Sequence, residues 1–132
     1  MSKRADVGTA FSRHAHGSAP RLARVRRALV SAGEAVALAE TFSLLGDPTR
    51  TRILHALSVD ELCVSDLAGL IGISASATSH QLRLLRDRRL VAVRREGKHT
   101  FYRLQDEHIR TLVDMGLSHV AETGVALRPG RR

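Results

Sequence analysis

The chain has 132 residues, a net charge of +8, aromatic residues at only 3% and a single cysteine, Cys63. This length supports one domain with a modest core, and one cysteine excludes an intrachain disulfide. The excess of basic residues favours a polyanionic partner, either nucleic acid or an anionic membrane surface. The scarcity of aromatic rings argues against readers of single-stranded nucleic acid, which stack bases on such rings.

The N-terminal segment lacks the apolar core of a signal peptide. No apolar run approaches the roughly 18 residues of a membrane span. We therefore expect a cytoplasmic protein with no membrane partner.

The distribution of residue types divides the chain into three parts. Residues 1–19 are rich in serine, glycine, alanine and histidine and predict a flexible arm. Residues 20–122 carry helical and strand periodicity and predict the folded domain, and residues 123–132 predict a disordered tail. The basic stretch 21–30 is compatible with a helix, either solvated or acting as a phosphate-contacting or dimer-embracing extension.

Asp47-Pro48 is typical of an N-cap followed by a proline at the first helical position, and it predicts the start of a helix over residues 48–57. Two short helices joined by a glycine turn are predicted after that helix. Gly72 predicts the turn, and Ser74 predicts the N-cap of the second helix of a helix-turn-helix. The predicted helices span residues 34–45, 48–57, a segment that ends at Ile71, 75–88 and 106–121.

A β-hairpin is predicted directly after the helix-turn-helix. Residues 90–93 and 100–104 have strand character, and Gly97 between them supplies the positive φ of a tight turn. Together these elements predict a mainly α fold with one hairpin, a winged helix-turn-helix.

The helix over residues 75–88 is the candidate reading helix for double-stranded DNA. Ala77, Leu82 and Leu85 are predicted to face inward. N-terminal residues of such a helix usually contact bases in the major groove, and basic residues of the hairpin contact phosphates. The predicted DNA-binding residues are Ser76, Ser79, His80, Arg83, Arg86, Arg95 and Lys98. Arg88, Arg94 and Arg103 are predicted to add further phosphate contacts.

Two short motifs on the last helix, Asp106-x-His108 and His119-x-x-Glu122, suit a borderline metal ion such as zinc. His108 and His119 are separated by about three turns, or roughly 16 Å, so one straight helix cannot bring both to one ion. An antiparallel second copy can complete two equivalent sites by two-fold symmetry. The alternative interpretation is that Asp106 is only an N-cap and that the other three are solvated residues.

An apolar stripe on the same helix predicts the dimer seam. Gly116 at its centre would allow two backbones to approach closely. Packing of this helix on its own domain is the alternative. The stripe consists of Ile109, Leu112, Val113, Gly116 and Val120.

At this point the chain resembles the ArsR/SmtB family of metal-sensing repressors. The similarity covers about residues 34–122 and is closest to the zinc-responsive type. It is carried by the segments 46–50, 61–68 and 79–83 and by the four ligand candidates of the last helix. The resemblance implies a homodimer, paired through its terminal helices, that represses a metal-handling gene and releases its operator when zinc binds. It also implies that the remaining ring N–H of His119 donates a hydrogen bond toward the backbone near Arg89.

A second metal site is implied by the same resemblance. It would combine Cys63 and Asp66 with His14 and His16 of the arm, although Ser65 stands where thiolate-rich sensors have another cysteine. Cys63 alone can equally be a small buried residue.

Two kinds of alternative remain open at this stage. A winged-helix regulator could answer to cobalt or nickel, or have no metal input. A hydrolase is disfavoured, because four protein ligands leave no open position for an activated water. We expect no enzyme activity.

Overall fold

A computed structural model describes residues 19–124 of the chain. The arm predicted for residues 1–19 and the tail predicted for residues 123–132 lie outside this range, apart from Ala19, Thr123 and Gly124. The described elements are α1 (Ala19–Ala28), α2 (Ala32–Leu45), α3 (Pro48–Val59), α4 (Val64–Ile71), α5 (Ala75–Asp87), β1 (Val91–Glu96), β2 (His99–Leu104) and α6 (Glu107–Glu122).

Contacts divide the chain into two units, Met1–Leu38 and Ala39–Arg132. In the first unit, α1 carries the basic stretch. Helix α2 begins with a capping box in which Ser31 and Glu34 each accept a hydrogen bond from the other's backbone N–H, at 3.1 and 3.0 Å. Two orphan donors are thereby satisfied at the start of α2.

Side-chain caps fix where the helices of the second unit begin. Asp47 accepts from the backbone N–H of Arg50, and Pro48 occupies the first turn of α3. Ser74 accepts from the backbone N–H of Ala77 at the start of α5. Between α4 and α5 the chain turns at Gly72, whose φ of 85° is the left-handed conformation that glycine adopts at low cost. The predicted helix-turn-helix is confirmed.

One apolar core lies between the helices and the hairpin of the second unit. Helices α3, α4, α5 and α6 and both strands contribute side chains with little or no exposure, so burial of a shared core holds α5 against α3, α4 and the hairpin. The core consists of Ile53, Leu54, Leu57, Leu67, Leu82, Leu85, Leu90, Val91, Leu104, Ile109 and Val113.

The hairpin is longer than the predicted strands. β1 and β2 pair antiparallel from Val91 opposite Leu104 to Glu96 opposite His99, so only Gly97 and Lys98 form the turn. Gly97 has a φ of 61°, as the tight turn requires. Charged residues at the exposed tip hid the strand pattern in the sequence. A bridge from Leu62 to Tyr102 adds a short third segment beside β2.

Helix α6 is shared between the domain core and the surface. Ile109 and Val113 are buried in the core, which corrects the prediction that the whole stripe forms a dimer seam. Leu112, Gly116 and Val120 are exposed in the single chain. The exposed part of the stripe therefore remains the candidate seam.

The architecture is mainly helical, with one two-stranded sheet and a hairpin that follows the helix-turn-helix. This confirms the predicted winged helix. Within residues 19–124, no single helix is both long and apolar enough to cross a membrane; α1 and α2 meet the length and composition criteria only as a pair bent by 65°.

Candidate DNA interface and candidate metal ligands

Helix α5 presents one polar face to solvent and one apolar face to the core. At 100° per residue, positions 76, 79, 80 and 83 fall on one side of the helix, and positions 78, 82 and 85 fall on the other. The exposed side carries Ser76, Ser79, His80 and Arg83, and Arg86 lies at its edge. Their contacts with a major groove stay a prediction, and their exposure is compatible with it.

One inward position on α5 was predicted wrongly. Ala77 is exposed, and Thr78 is fully buried instead. The hydroxyl of Thr78 donates to the carbonyl of Ser74 at 2.8 Å, so its polar atom is satisfied and its methyl group packs inward. Hydrophobicity alone selected the wrong residue, whereas the spacing from Leu82 and Leu85 points to Thr78.

The hairpin extends the basic surface beyond α5. Lys98 is exposed at the turn, and Arg95 is exposed beside it, with its guanidinium donating to the hydroxyl of Thr100 at 3.3 Å. Their exposure is compatible with the phosphate contacts predicted for them, which stay a prediction.

Arg94 has a different environment from Arg95. Its guanidinium bonds Glu61 at 2.7 Å and Glu96 at 3.1 Å, and it stacks over the ring of Phe101 at 4.8 Å from the centroid. The hydrogen bonds to Glu61 and then to Glu96 raise the pKa of Arg94 above its ordinary value. Arg94 therefore ties the hairpin to the segment before α4.

Arg88 is engaged in the same way at the end of the reading helix. It forms an ion pair with Glu40 of α2 at 2.8 Å. These pairings could not be recognised in the sequence, since Arg94 and Glu61, for example, lie 33 positions apart. The phosphate contacts expected of Arg88 and Arg94 stay predictions. Within residues 19–124, the basic residues of this surface that are exposed and form no ion pair are Arg83, Arg86, Arg95, Lys98 and Arg103.

We expect Arg83→Ala to weaken DNA binding by about 1–3 kcal/mol, the range for a side chain that contacts a base edge. Arg88→Ala is the matched control on the same helix, because Glu40 already engages that guanidinium. Fluorescence anisotropy on one duplex at several salt concentrations measures both variants. Equal losses in the two variants would contradict the assignment of Arg83 to the DNA surface.

The four ligand candidates lie at opposite ends of one continuous helix. Asp106 and His108 stand at the start of α6, and His119 and Glu122 stand in its last turn, all exposed. Eleven residues of helix correspond to roughly 16 Å. Accordingly, no group of three or more potential ligands forms within residues 19–124 of the single chain.

Asp106 has two roles open to it. One oxygen, Oδ1, accepts from the backbone N–H of Ile109 at 3.2 Å and thus caps α6, as the alternative interpretation of this residue predicted. Nδ1 of His108 lies 3.4 Å from the same oxygen, and the His108 side chain is 90% exposed. A capping carboxylate still has a second oxygen, so the cap does not prevent ligation.

The structure describes only some residues of the implied second metal site. Cys63 is the half-buried N-cap of α4, and Asp66 is exposed in the first turn of the same helix. His14 and His16 lie outside the described residues. Arg89, near whose backbone the implied hydrogen bond from the ring N–H of His119 would end, follows α5 with a left-handed φ of 60°.

Comparisons with known proteins match this architecture. The family described as bacterial regulatory protein, arsR family, matches residues 47–93. The chain is 44% identical over 100 residues to a transcriptional repressor SmtB homolog of Synechocystis sp., with 76% of each chain covered. It is 42% identical over 86 residues to a cadmium resistance transcriptional regulatory protein CadC homolog of Staphylococcus aureus, with 64% of this chain and 71% of the relative covered.

A solved structure with the same fold is the homodimeric winged helix-turn-helix DNA-binding domain of a possible ArsR-family regulator from Mycobacterium bovis. Its TM-score is 0.65 at 26% identity, and the match covers 76% of this chain and 93% of that one. The likeness therefore includes both the reading helix and the hairpin that follows it.

Proposed function

Because the chain belongs to the arsR family of bacterial regulatory proteins, we propose that it is a repressor that zinc releases from operator DNA. One observation carries the proposal. The chain combines an exposed basic reading surface on α5 and the hairpin with four ligand-type side chains at the two ends of α6. Its relatives are transcriptional regulators, and it is not an enzyme.

The positions of the ligand candidates support pairing of α6 with a second copy. The pair Asp106 and Glu122 and the pair His108 and His119 are both centred near residue 114. An antiparallel copy related by a two-fold axis at that position brings the start of one helix beside the end of the other. Both sites of the dimer are then completed at once.

The donor set fits zinc. Two imidazoles and two carboxylates provide four nitrogen and oxygen ligands, the number that a closed tetrahedral site requires. Such a closed site leaves no position for an activated water, so the ion acts here by cross-linking two helices. Cobalt accepts the same donors, whereas nickel prefers more ligands than these four residues supply.

Exposed apolar side chains on two helices favour dimerisation. Phe42 of α2 is 50% exposed, and Met115 and Leu117 of α6 are 65% and 46% exposed. No residue of α2 is fully buried in the single chain, although the helix is rich in apolar residues. Covering these side chains with a second copy removes them from water. The similar domain from Mycobacterium bovis is homodimeric, which supports dimerisation of this chain as well.

A dimer of this kind requires a two-fold operator. Two copies of α5 would enter successive major grooves, so the half-sites would be inverted and centred about one helical turn, or roughly 34–36 Å, apart. The free basic residues beside α5 would then supply the salt-dependent part of the affinity.

A second metal site at Cys63 and Asp66, completed by His14 and His16 of the arm, stays part of the proposal. A single thiolate makes that site poorer for soft ions than the thiolate-rich sites of the family type noted above. The α6 site is therefore the one to which we assign the regulatory ion.

We expect Gly116→Leu to weaken the dimer while the monomer fold persists. In the antiparallel pair centred on residue 114, Gly116 of one copy lies opposite Leu112 of the other, so a leucine there would overpack the seam. Within one chain nothing lies within 4 Å of a Cβ at Gly116, and leucine is the better helix former. Sedimentation equilibrium measures the dimer dissociation constant of the variant. Gly69→Leu, at an exposed position of α4, is the control. An unchanged dimer constant would contradict the proposed seam.

Titration with Co²⁺ tests the α6 site directly. A tetrahedral complex gives intense visible absorption. We expect one such ion per protomer at the α6 site of the wild type and loss of that ion and its contribution to the spectrum in His119→Gln. Zinc should displace the cobalt. A weak six-coordinate spectrum would favour a nickel-type sensor, and absence of binding would leave a winged-helix regulator without metal input.

A further inference from the structure

Two contacts of the second unit join the C-terminal part of α2 to the reading helix. The first runs through Arg50 near the start of α3. Its Nε donates to the carbonyl of Leu44 at 2.9 Å, and its Nη1 donates to Oε1 of Gln81 at 3.2 Å. One guanidinium therefore holds an end of α2 and the middle of α5 together.

The second contact is the ion pair between Glu40 and Arg88. Glu40 lies one turn before Leu44 on α2, and Arg88 lies about two turns after Gln81 on the reading helix. An ion pair this exposed adds little stability. Two contacts separated along both helices nevertheless restrict how α2 can turn or slide relative to α5.

Several hydrogen bonds fix the backbone and the guanidinium of Arg50. Its backbone N–H is held by the carboxylate of Asp47 at 2.9 Å, and both Arg50 and Gln81 are half-buried. Hydrogen bonds from a charged guanidinium are stronger than neutral ones, and its planar fork fixes the direction of each donor. Beside it, the hydroxyl of Thr51 holds the carbonyl of Leu45 at 2.8 Å but does not extend to α5.

Helix α6 packs on α3, the helix that carries Arg50, through the shared apolar core that contains Leu54 and Val113. Leu45 at the end of α2 and Leu117 of α6 line an open apolar groove beside this contact. Movement of α6 therefore bears on α3, whose Arg50 contacts both the end of α2 and α5.

We infer that Arg50 is a positioning residue that carries the effect of metal at α6, by way of α3, to Gln81 and the DNA-reading face. This inference rests on the proposed function and identifies a regulatory path within it. A path of packed and hydrogen-bonded groups requires coupling measurements to establish it.

Four variants, among them Arg50→Lys, distinguish a contact that transmits the zinc effect from one that only supports the fold. Gln81→Leu removes the acceptor on α5 and keeps a good helix former. Gln81→Glu keeps an acceptor for Arg50. Thr51→Val removes the neighbouring bond to the same end of α2 without touching α5, and is the matched control. DNA affinity is measured for each in chelator and in excess zinc, and zinc affinity of the free protein by chelator competition.

The ratio of DNA dissociation constants with and without zinc is the decisive quantity. In Gln81→Leu we expect this ratio to fall by about three-fold or more, with the zinc affinity of the free protein unchanged. Arg50→Lys should behave likewise, because lysine lacks the fork that reaches two acceptors. Gln81→Glu and Thr51→Val should keep the wild-type ratio, whatever their absolute affinities.

Two outcomes would overturn the inference about Arg50. If Gln81→Leu and Arg50→Lys change DNA affinity equally in both conditions, the contact is merely supportive and the inference is overturned while the proposed function stands. If the wild type itself shows no zinc effect, the proposed function fails, and the path fails with it.

Discussion

Replacing His119 by glutamine should abolish the response of DNA binding to zinc while leaving DNA binding without metal unchanged. The substitution removes one of the two imidazole ligands proposed for each site. Loss of a mere hydrogen-bond partner of a ligand costs 10- to 100-fold in metal affinity, so loss of the ligand should lower zinc affinity by about 100-fold or more. His119 is an exposed residue of α6 and lies outside the reading surface of α5.

The matched control for this variant is His55→Gln. His55 is also an exposed helical histidine, but it lies on α3, outside the proposed site. Chelator competition gives zinc affinity, and anisotropy with and without zinc gives the coupling between the two ligands. A His119→Gln protein that still releases DNA at the wild-type zinc concentration would exclude this residue from the site.

Among these substitutions, Leu82→Ala on α5 should cause the largest loss of folding stability. Leu82 is fully buried where α5 meets the core, and Leu→Ala changes at such positions cost about 2–5 kcal/mol through lost burial and the cavity left behind. That loss is a large part of the roughly 5–15 kcal/mol that stabilises a typical domain.

Urea denaturation at one fixed protein concentration measures this change, because the stability of a dimer depends on concentration. Leu70→Ala on α4 is the control, since Leu70 is 61% exposed and its truncation should cost about 0.5 kcal/mol or less. Similar midpoints for the two variants would mean that α5 does not depend on this core for its position.

Local signals in the sequence were enough to predict the fold. Caps at Asp47 and Ser74, the glycine turn at Gly72 and the tight turn at Gly97 each act over a few residues, so they can be recognised without a structure. The strand ends were misplaced because charged residues continue the pairing to Glu96 and His99 at the exposed tip. Pairing between backbones does not require the apolar alternation by which strands are recognised.

Contacts between distant positions were beyond the sequence. The pairing of Arg94 with Glu61 and of Arg88 with Glu40 depends on how the elements pack, which local patterns do not reveal. Likewise, periodicity identified the apolar stripe of α6 but not its division into Ile109 and Val113 in the core and Leu112 and Val120 on the surface. A helix that packs on two sides shows a broader stripe than either side needs.

The candidate metal site was predicted on different grounds from the fold. Its residues were chosen from spacing and from resemblance to a family, and the single chain holds the two ligand pairs too far apart to meet. The separation along α6 is what makes a second copy necessary. The prediction of a zinc site shared across a dimer therefore rests on ligand chemistry and symmetry together.

The most direct test of the account is the affinity of the wild-type dimer for duplex DNA from its own upstream region, measured by fluorescence anisotropy in chelator and then in excess zinc. We predict tight binding in chelator that weakens by about ten-fold or more with zinc, a coupling of at least about 1.4 kcal/mol. Binding that is equally tight in both conditions would contradict a zinc-released repressor.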